Sequence, residues 1–382
     1  MMAAMLQPKF GPGMPVPWFT VRSSSNPEYH FGSVAGRHIV LLFLGSAAAP
    51  ASAAVHAALL AQRALFDDVR ASLFVVTLDA ADERLGRIAE QLPGLRIFWD
   101  LDGAVSRRFG VATPDEGAGQ WRFSTAAVLL DPSLRVMRWF VSTTDQPDFS
   151  AALLSQVESL PMPRTGVAVM QAPVLILPQV FDAALCRTLI DHYRQRGGED
   201  SGYMKSEGGR IVGVIDHSVK RRFDRLIEDE ALKKRIAHRI QACIAPEIER
   251  VFRFRATRME RYLVACYDAD SGGYFRPHRD NDGDGHREFA VTINLNAEDY
   301  EGGDLRFPEY GLQTYRAPTG GACVFSCGLM HEATPVTRGQ RFAFLPFLYD
   351  EAAAQRRERN NTKYADPSVH YRYEGGGGAP AA

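Results

Sequence analysis

Three side chains stand where they could share one metal ion. The segment Tyr274-Phe-Arg-Pro-His278-Arg-Asp280 sets an imidazole and a carboxylate two residues apart. In an extended strand, residues i and i+2 point to the same face, so both groups can reach a single ion. About fifty residues later, Gly328-Leu-Met-His331-Glu332 supplies a second imidazole at the start of an apolar run. Two imidazoles and one carboxylate on one face of an octahedron leave three positions open. That suits Fe(II) holding a bidentate co-substrate and O2 together, whereas a structural zinc site closes its coordination sphere. A His-x-Asp pair alone is more readily a solvated turn ahead of Asn281-Asp-Gly-Asp-Gly285, so its surroundings have to decide.

Ten positions after His331, Thr337-Arg-Gly-Gln-Arg341-Phe-Ala-Phe344 places a cation in a strand-like run. Arg341, Ala343 and Leu345 share one face there, so a single guanidinium projects among apolar neighbours and can grip a carboxylate through two parallel hydrogen bonds. Arg338 reads as an ordinary surface charge. Tyr267, eleven positions before His278, can offer a phenolic hydrogen bond to the same carboxylate.

These residues need short strands to carry them, and the second half of the chain has that texture. Strand candidates are 261–267, 288–295, 304–307, 322–326, 331–336 and 341–349, dense in turn residues between, which indicates a sandwich or jelly roll. Two helical stretches precede them, 182–196 and 229–252. The first 160 residues differ. Apolar β-branched runs at 38–44, 73–78, 95–99, 125–130 and 136–141 alternate with helical periodicity at 53–66, 81–91, 103–109 and 149–160. Asp102 and Asp148 are candidate caps for the last two helices. The alternation implies a βαβ sheet with helices on its faces. The expected organisation is an α/β domain over 1–160, a Pro/Gly-containing linker over 161–173, a strand-rich domain over 174–364 and a disordered tail over 365–382.

From about Val174 to Asp350 the chain resembles the prolyl 4-hydroxylase-type branch of the Fe(II)/2-oxoglutarate dioxygenases. The resemblance is carried by Tyr267 at the end of Arg261-Tyr-Leu-Val-Ala-Cys-Tyr267, Pro277-His278-x-Asp280, Thr292-Ile-Asn-Leu-Asn296 and Glu301-Gly-Gly-Asp-Leu305. It continues through Pro318-Thr-Gly-Gly-Ala-Cys-Val-Phe325, His331-Glu332, Pro335-Val336 and Gly339-x-Arg341. It implies a double-stranded β-helix in an α+β domain, with iron held by His278, Asp280 and His331 and 2-oxoglutarate bound by Arg341 with help from Tyr267. Many members of the branch carry Lys where this chain has Arg341. The implied activity is hydroxylation of a substrate coupled to conversion of 2-oxoglutarate and O2 into succinate and CO2, with ascorbate as the usual reductant. Because Asp280 is present, the halogenase variant, which lacks this carboxylate, is disfavoured. The substrate stays open between a residue of a protein or peptide, such as proline, and a small metabolite. Candidate specificity loops are 201–214, 268–276 and 296–315.

Residues from about Lys9 to Val141 resemble the peroxiredoxin branch of the thioredoxin fold, through Gly11-Pro-Gly-Met-Pro-Val-Pro-Trp-Phe19, Leu41-Leu-Phe-Leu44 and Trp121-Arg-Phe-Ser-Thr125. Such enzymes use a peroxidatic cysteine just after the strand that here ends near Leu44. This chain has Gly45-Ser-Ala-Ala-Ala-Pro-Ala-Ser52-Ala53 there, and its five cysteines begin only at Cys186. An unperturbed hydroxyl is no substitute for a thiolate, and Arg122, which matches the family's arginine, then has nothing to activate. An interaction, docking or homodimerisation module is expected instead. A metal-binding module without turnover, or a redox protein driven by the first domain, are the competing readings. Net charge −1 with 46% hydrophobic and 23% charged residues gives no electrostatic reason for a nucleic acid or membrane partner. The longest apolar run, 166–177, is too short to span a bilayer, and a cytoplasmic protein is expected.

Overall fold

The computed structural model describes residues 8–115, 120–143, 148–162, 166–167, 170–207, 210–281 and 283–374. The chain divides into two compact units, Met1–Val167 and Ala168–Ala382.

In the first unit, β1 (His38–Gly45), β2 (Ala71–Thr77), β3 (Leu95–Trp99), β4 (Ala126–Leu130) and β5 (Val136–Val141) form one sheet in the order β3-β2-β1-β4-β5. The first three run parallel, while β4 runs antiparallel to both of its neighbours, β1 and β5. The chain alternates these strands with α1 (Pro50–Ala61), α2 (Ala80–Arg84), α3 (Ala104–Phe109) and α4 (Ser150–Glu158). β1 and β2 are buried throughout because both faces are covered, which explains their unbroken apolar runs. The period of two then sorts the side chains. Val40, Leu42 and Leu44 pack with Val55 and Leu59 of α1 and Leu153 and Val157 of α4. Ile39, Leu41 and Phe43 pack with Val105 and Phe109 of α3. Asp102 and Asp148 do accept backbone N–H bonds near the starts of α3 and α4. Asp100 takes more, from Val105 and Ser106 at 2.9 and 2.7 Å. The helix expected over 81–91 ends at Arg84, since Gly86 turns left-handed at φ 62°.

In the second unit, α5 (Ala183–Arg196) follows the expected span. The helix expected over 229–252 is two, α6 (Glu230–Cys243) and α7 (Ala245–Phe252), because Pro246 has no N–H to continue the ladder. The strands are β6 (Leu175–Leu177), β7 (Glu199–Asp200), β8 (Tyr203–Glu207), β9 (Arg210–Val214), β10 (Lys220–Arg221), β11 (Phe223–Leu226), β12 (Arg258–Glu260), β13 (Leu263–Asp268), β14 (Tyr274–His278), β15 (Phe289–Asn294), β16 (Leu305–Arg306), β17 (Thr314–Tyr315), β18 (Ala322–Ser326), β19 (His331–Ala333), β20 (Gln340–Phe344) and β21 (Phe347–Tyr349). The larger sheet runs β6-β18-β15-β20-β13-β11-β7, with β21 joining β12 to β15. The smaller runs β10-β14-β19-β16-β17. The strand expected over 341–349 is interrupted at Pro346, which cannot donate to a ladder. All five cysteines are buried and free.

The tail differs from the expectation of disorder as far as residue 374. Tyr371 and Tyr373 pack against Tyr349 and against Ala353 and Ala354 of α8 (Glu351–Arg359). Their hydroxyls meet Arg258 and Glu351 at 3.1 and 3.2 Å. The aromatic side chains supply burial that the glycine-rich end of the sequence conceals. Residues 375–382 lie outside the described residues.

Candidate active site

His278 closes β14 and His331 opens β19, and the two residues are direct partners across the smaller sheet. Asp280 lies two residues beyond His278, its N–H and that of Asn281 both held by the Cys327 carbonyl at 3.1 Å. The ligating atoms of His278, Asp280 and His331 all fall within 4.8 Å of one another. The Asp280 carboxylate is 3.3 Å from His331 Nε2 and 3.7 Å from His278 Nε2. On the far side of each ring, Nδ1 faces a backbone carbonyl, Arg276 O at 2.8 Å and Leu329 O at 3.0 Å. A proton on Nδ1 satisfies those carbonyls and leaves both Nε2 lone pairs aimed at the gap, which is how metal-binding histidines are oriented. Phe275 stacks on His278 with ring centroids 3.6 Å apart, and Phe325 meets His331 edge-on at 4.6 Å.

Burial, and then the neighbouring His331, push the His278 imidazole down to about 4. Burial alone would raise the Asp280 carboxyl, but its interactions with the two rings, His331 first and then His278, outweigh that and hold it low. Neutral imidazole beside ionised carboxylate is the protonation state a divalent cation needs.

Arg341 comes from the larger sheet, where β20 pairs with β13 and sets Arg341 opposite Tyr267. Its guanidinium carbon sits 5.0 Å from the Tyr267 ring centroid. Only 2% of Arg341 is exposed, yet its Nε and Nη1 are buried without a hydrogen-bond partner, as is the Tyr300 hydroxyl beside it. The Glu301-Gly-Gly-Asp turn makes room for this side chain. A Cβ on Gly303, at φ 66°, would lie 3.2 Å from Arg341 Cδ and 2.7 Å from Val336. Arg338, by contrast, is an exposed partner of Glu301. Tyr267 is buried, and its hydroxyl receives a long contact from Arg222 Nη1 at 3.5 Å.

His278, Asp280, His331, Tyr267 and Arg341 all line one cavity of about 700 Å³. Three further parts of its wall were not singled out in the sequence. Lys220 and Arg222 come from the β10–β11 segment, Arg261 from the turn before β13, and Arg287 from the turn before β15. The segment 201–214, expected as a loop, is largely the hairpin β8–β9, and it contributes Tyr203, Met204 and Val214 to the cavity.

In the first unit, Ser52 is buried at the start of α1. Its hydroxyl donates to Leu44 O at 2.8 Å and shares a 2.9 Å hydrogen bond with Thr125 Oγ1. Gly45, at φ 72°, lies against Phe123, which a Cβ would strike.

Residues 262–349 match the model of the 2OG-Fe(II) oxygenase superfamily. A PKHD-type hydroxylase from Synechococcus sp. (strain JA-2-3B'a(2-13)) is 32% identical over 122 residues, covering 29% of this chain and 54% of that protein. The chain spans about half, or less, of the length of the curated relatives it matches. Among solved structures, a Pseudomonas putida prolyl-4-hydroxylase aligns with 47% of this chain and 93% of its own, at 20% identity and TM-score 0.36. Xanthomonas campestris peroxiredoxin Q aligns with 38% of this chain and 98% of its own, at 16% identity and TM-score 0.32. The span of the C-terminal unit that matches the 2OG-Fe(II) oxygenase superfamily model, 262–349, contains Tyr267, His278, Asp280, His331 and Arg341.

Proposed function

We propose that the C-terminal unit is a 2-oxoglutarate-dependent dioxygenase that hydroxylates a substrate, its two sheets forming a double-stranded β-helix. The observation that carries this reading is the buried Arg341 guanidinium, two of whose nitrogens have no partner, in the same cavity as the His278–Asp280–His331 cluster. A buried charge with unmade hydrogen bonds is costly, and the distal carboxylate of 2-oxoglutarate supplies the missing acceptors. The donor set fits Fe(II): two imidazoles and one carboxylate, with the remaining positions open to the cavity.

Iron bound there would supply activation of O2, coupling decarboxylation of 2-oxoglutarate to succinate with oxidation of the substrate. The chain's residues do the rest. His278, Asp280 and His331 hold the metal, with the Arg276 and Leu329 carbonyls fixing both rings. Arg341 orients the co-substrate, and Tyr267 supports the guanidinium and adds a hydroxyl beside it. Phe275, Phe325 and Leu345 line the cavity and limit water near the reacting centre. Candidate substrates are a protein or peptide residue such as proline, or a small metabolite, with ascorbate as the reductant that maintains Fe(II). For the first unit we infer a non-catalytic role in interaction or homodimerisation, supported by the buried, hydrogen-bonded Ser52 where the resemblance calls for a cysteine. No helix among the described residues is long and apolar enough to cross a membrane.

The test is succinate formation from 2-oxoglutarate by the full chain with Fe(II) under air, beside His278→Ala and a chelator control. Succinate that appears with the native protein and disappears in both controls supports the reading. No succinate from iron-loaded protein with any of a broad set of lysate fractions would refute it.

A further inference from the structure

The cavity holds more basic side chains than the proposed iron site can use. Fe(II), Asp280, doubly charged 2-oxoglutarate and Arg341 neutralise one another, yet Lys220, Arg222, Arg261 and Arg287 line the same cavity. Two of these four are already matched. Arg222 grips Asp224 with Nε and Nη2 at 2.7 and 2.6 Å. Arg287 Nε donates to Glu260 at 2.7 Å, a carboxylate that also holds His286 and Arg357.

Lys220 has no carboxylate partner of its own, and Arg261 only a long, shared one. Lys220 is 4% exposed, and its ammonium donates to two neutral oxygens, Ser201 Oγ at 2.8 Å and Gly202 O at 2.6 Å. Burial, and then the charge of Arg222, push it down to about 6 against the pull of Asp224, and an anion bound beside it would draw it back to the charged form. The carboxylate nearest Arg261 is Asp224 at 3.5 Å, already taken up by Arg222. Arg261 also holds a left-handed backbone, φ 68°. A residue with a Cβ pays strain there that glycine does not, and such strain concentrates at binding sites. Each cation lies over an aromatic ring of the wall, Lys220 at 5.0 Å from Phe275 and Arg261 at 5.2 Å from Phe347. Phe275 in turn stacks on His278, so Lys220 is one ring removed from the metal cluster.

We propose that the hydroxylation substrate is an anion whose oxyanion group, a carboxylate or a phosphate, is bound by Lys220 and Arg261 while its oxidisable carbon faces the His278–Asp280–His331 cluster. This rests on the dioxygenase reading above. The anion supplies the counter-charge that the protein withholds from these two side chains, and fork-shaped guanidinium donors suit either oxyanion.

The test uses the full chain loaded with Mn(II) in place of Fe(II) and with 2-oxoglutarate, so that binding is read without turnover. Mn(II) broadens the proton resonances of any small molecule held in the cavity. The probes are matched pairs: N-acetyl amino acids against their amides, and N-acetyl-phosphoserine amide against N-acetyl-serine amide. The charged member of at least one pair set should be broadened and its neutral partner not, and the set that responds tells carboxylate from phosphate. Lys220→Met and Arg261→Gly should each weaken that binding about tenfold or more, the scale of one charge-assisted contact. Arg261→Gly also relieves the left-handed backbone, so a loss there cannot come from strain. Lys220→Arg should retain most of the binding. Equal broadening of acids and amides, no broadening of any charged probe, or variants that weaken 2-oxoglutarate instead of the probe would overturn the proposal. Failure of Mn(II) to broaden 2-oxoglutarate itself would overturn the dioxygenase reading, and this inference with it.

Discussion

Replacing Arg341 with methionine should move co-substrate affinity and protein stability in opposite directions. In the protein without 2-oxoglutarate, Nε and Nη1 of a side chain only 2% exposed go unpaired. Unsatisfied buried donors cost roughly 1–3 kcal/mol each, more when charged. Methionine fills much of the same space above Tyr267 without those donors, so the unliganded variant should gain about 1–3 kcal/mol in stability, as apolar replacements of poorly paired buried charges do. With co-substrate, the variant forgoes two charge-assisted hydrogen bonds worth roughly 1.5–3 kcal/mol each, and a net loss near 3 kcal/mol corresponds to about a hundredfold in affinity. Arg341→Lys should fall between, keeping the charge but not the fork. Arg338→Ala is the control: its ion pair with Glu301 is exposed on both sides and should change neither quantity measurably. Urea unfolding with and without 2-oxoglutarate, beside titration of the Mn(II) protein with 2-oxoglutarate, reads both effects. If Arg341→Met binds 2-oxoglutarate within twofold of the native protein, or loses stability in its absence, the guanidinium is a structural group and the anchor lies elsewhere.

His278→Ala, Asp280→Ala and His331→Ala should each abolish succinate formation and leave circular dichroism unchanged, since each removes one of the protein ligands; near-native turnover in any of them takes that residue out of the set. The purified protein should show no thiol peroxidase activity, because all five cysteines begin at Cys186 and are buried; cysteine-dependent peroxide consumption that survives iron chelation contradicts this. Lys220→Met should stabilise the protein most near pH 6 and least toward pH 10. The folded pKa is depressed to about 6, so between there and the ordinary lysine range the unfolded chain binds more protons and native stability rises with pH. A stability difference between variant and native protein that does not shrink as pH rises refutes the assignment. Truncation after residue 364 should lower the urea midpoint, since it removes Tyr371 and Tyr373 from Ala353, Ala354 and Arg258; an unchanged midpoint makes those contacts incidental.

Much of the fold was legible because its signals are local. The five strands of the first unit's main sheet fall within a residue or two of the apolar runs, since strands buried on both faces leave no polar interruption. In three of the misreadings one backbone-controlling residue is responsible. Pro246 divides the long helix, Pro346 divides the last strand, and Gly86 ends α2 early. Short strands such as β10 and β17 carry no pattern of their own; neighbours across the sheet define them. The tail was misjudged for a related reason, because two tyrosines anchor it against α8 while composition registers chiefly glycine.

The site divides along the same line. Spacing singles out His278, Asp280, His331 and Arg341, each in a short segment, and the structure brings those segments to one cavity through two cross-strand pairs, His278 with His331 and Tyr267 with Arg341. The second group of cations was not legible, since a lysine or arginine in a polar segment reads as a solvated charge unless something indicates burial. One clue was available: in Lys220-Arg-Arg222-Phe-Asp224, alternate positions carry charges of both signs, so a strand there turns all three to one side. On a solvated face that pattern asks for nothing. In the cavity wall it leaves Arg222 matched to Asp224 and Lys220 with no carboxylate of its own, and this difference is why the same five residues separate a surface strand from a wall that requires an anion.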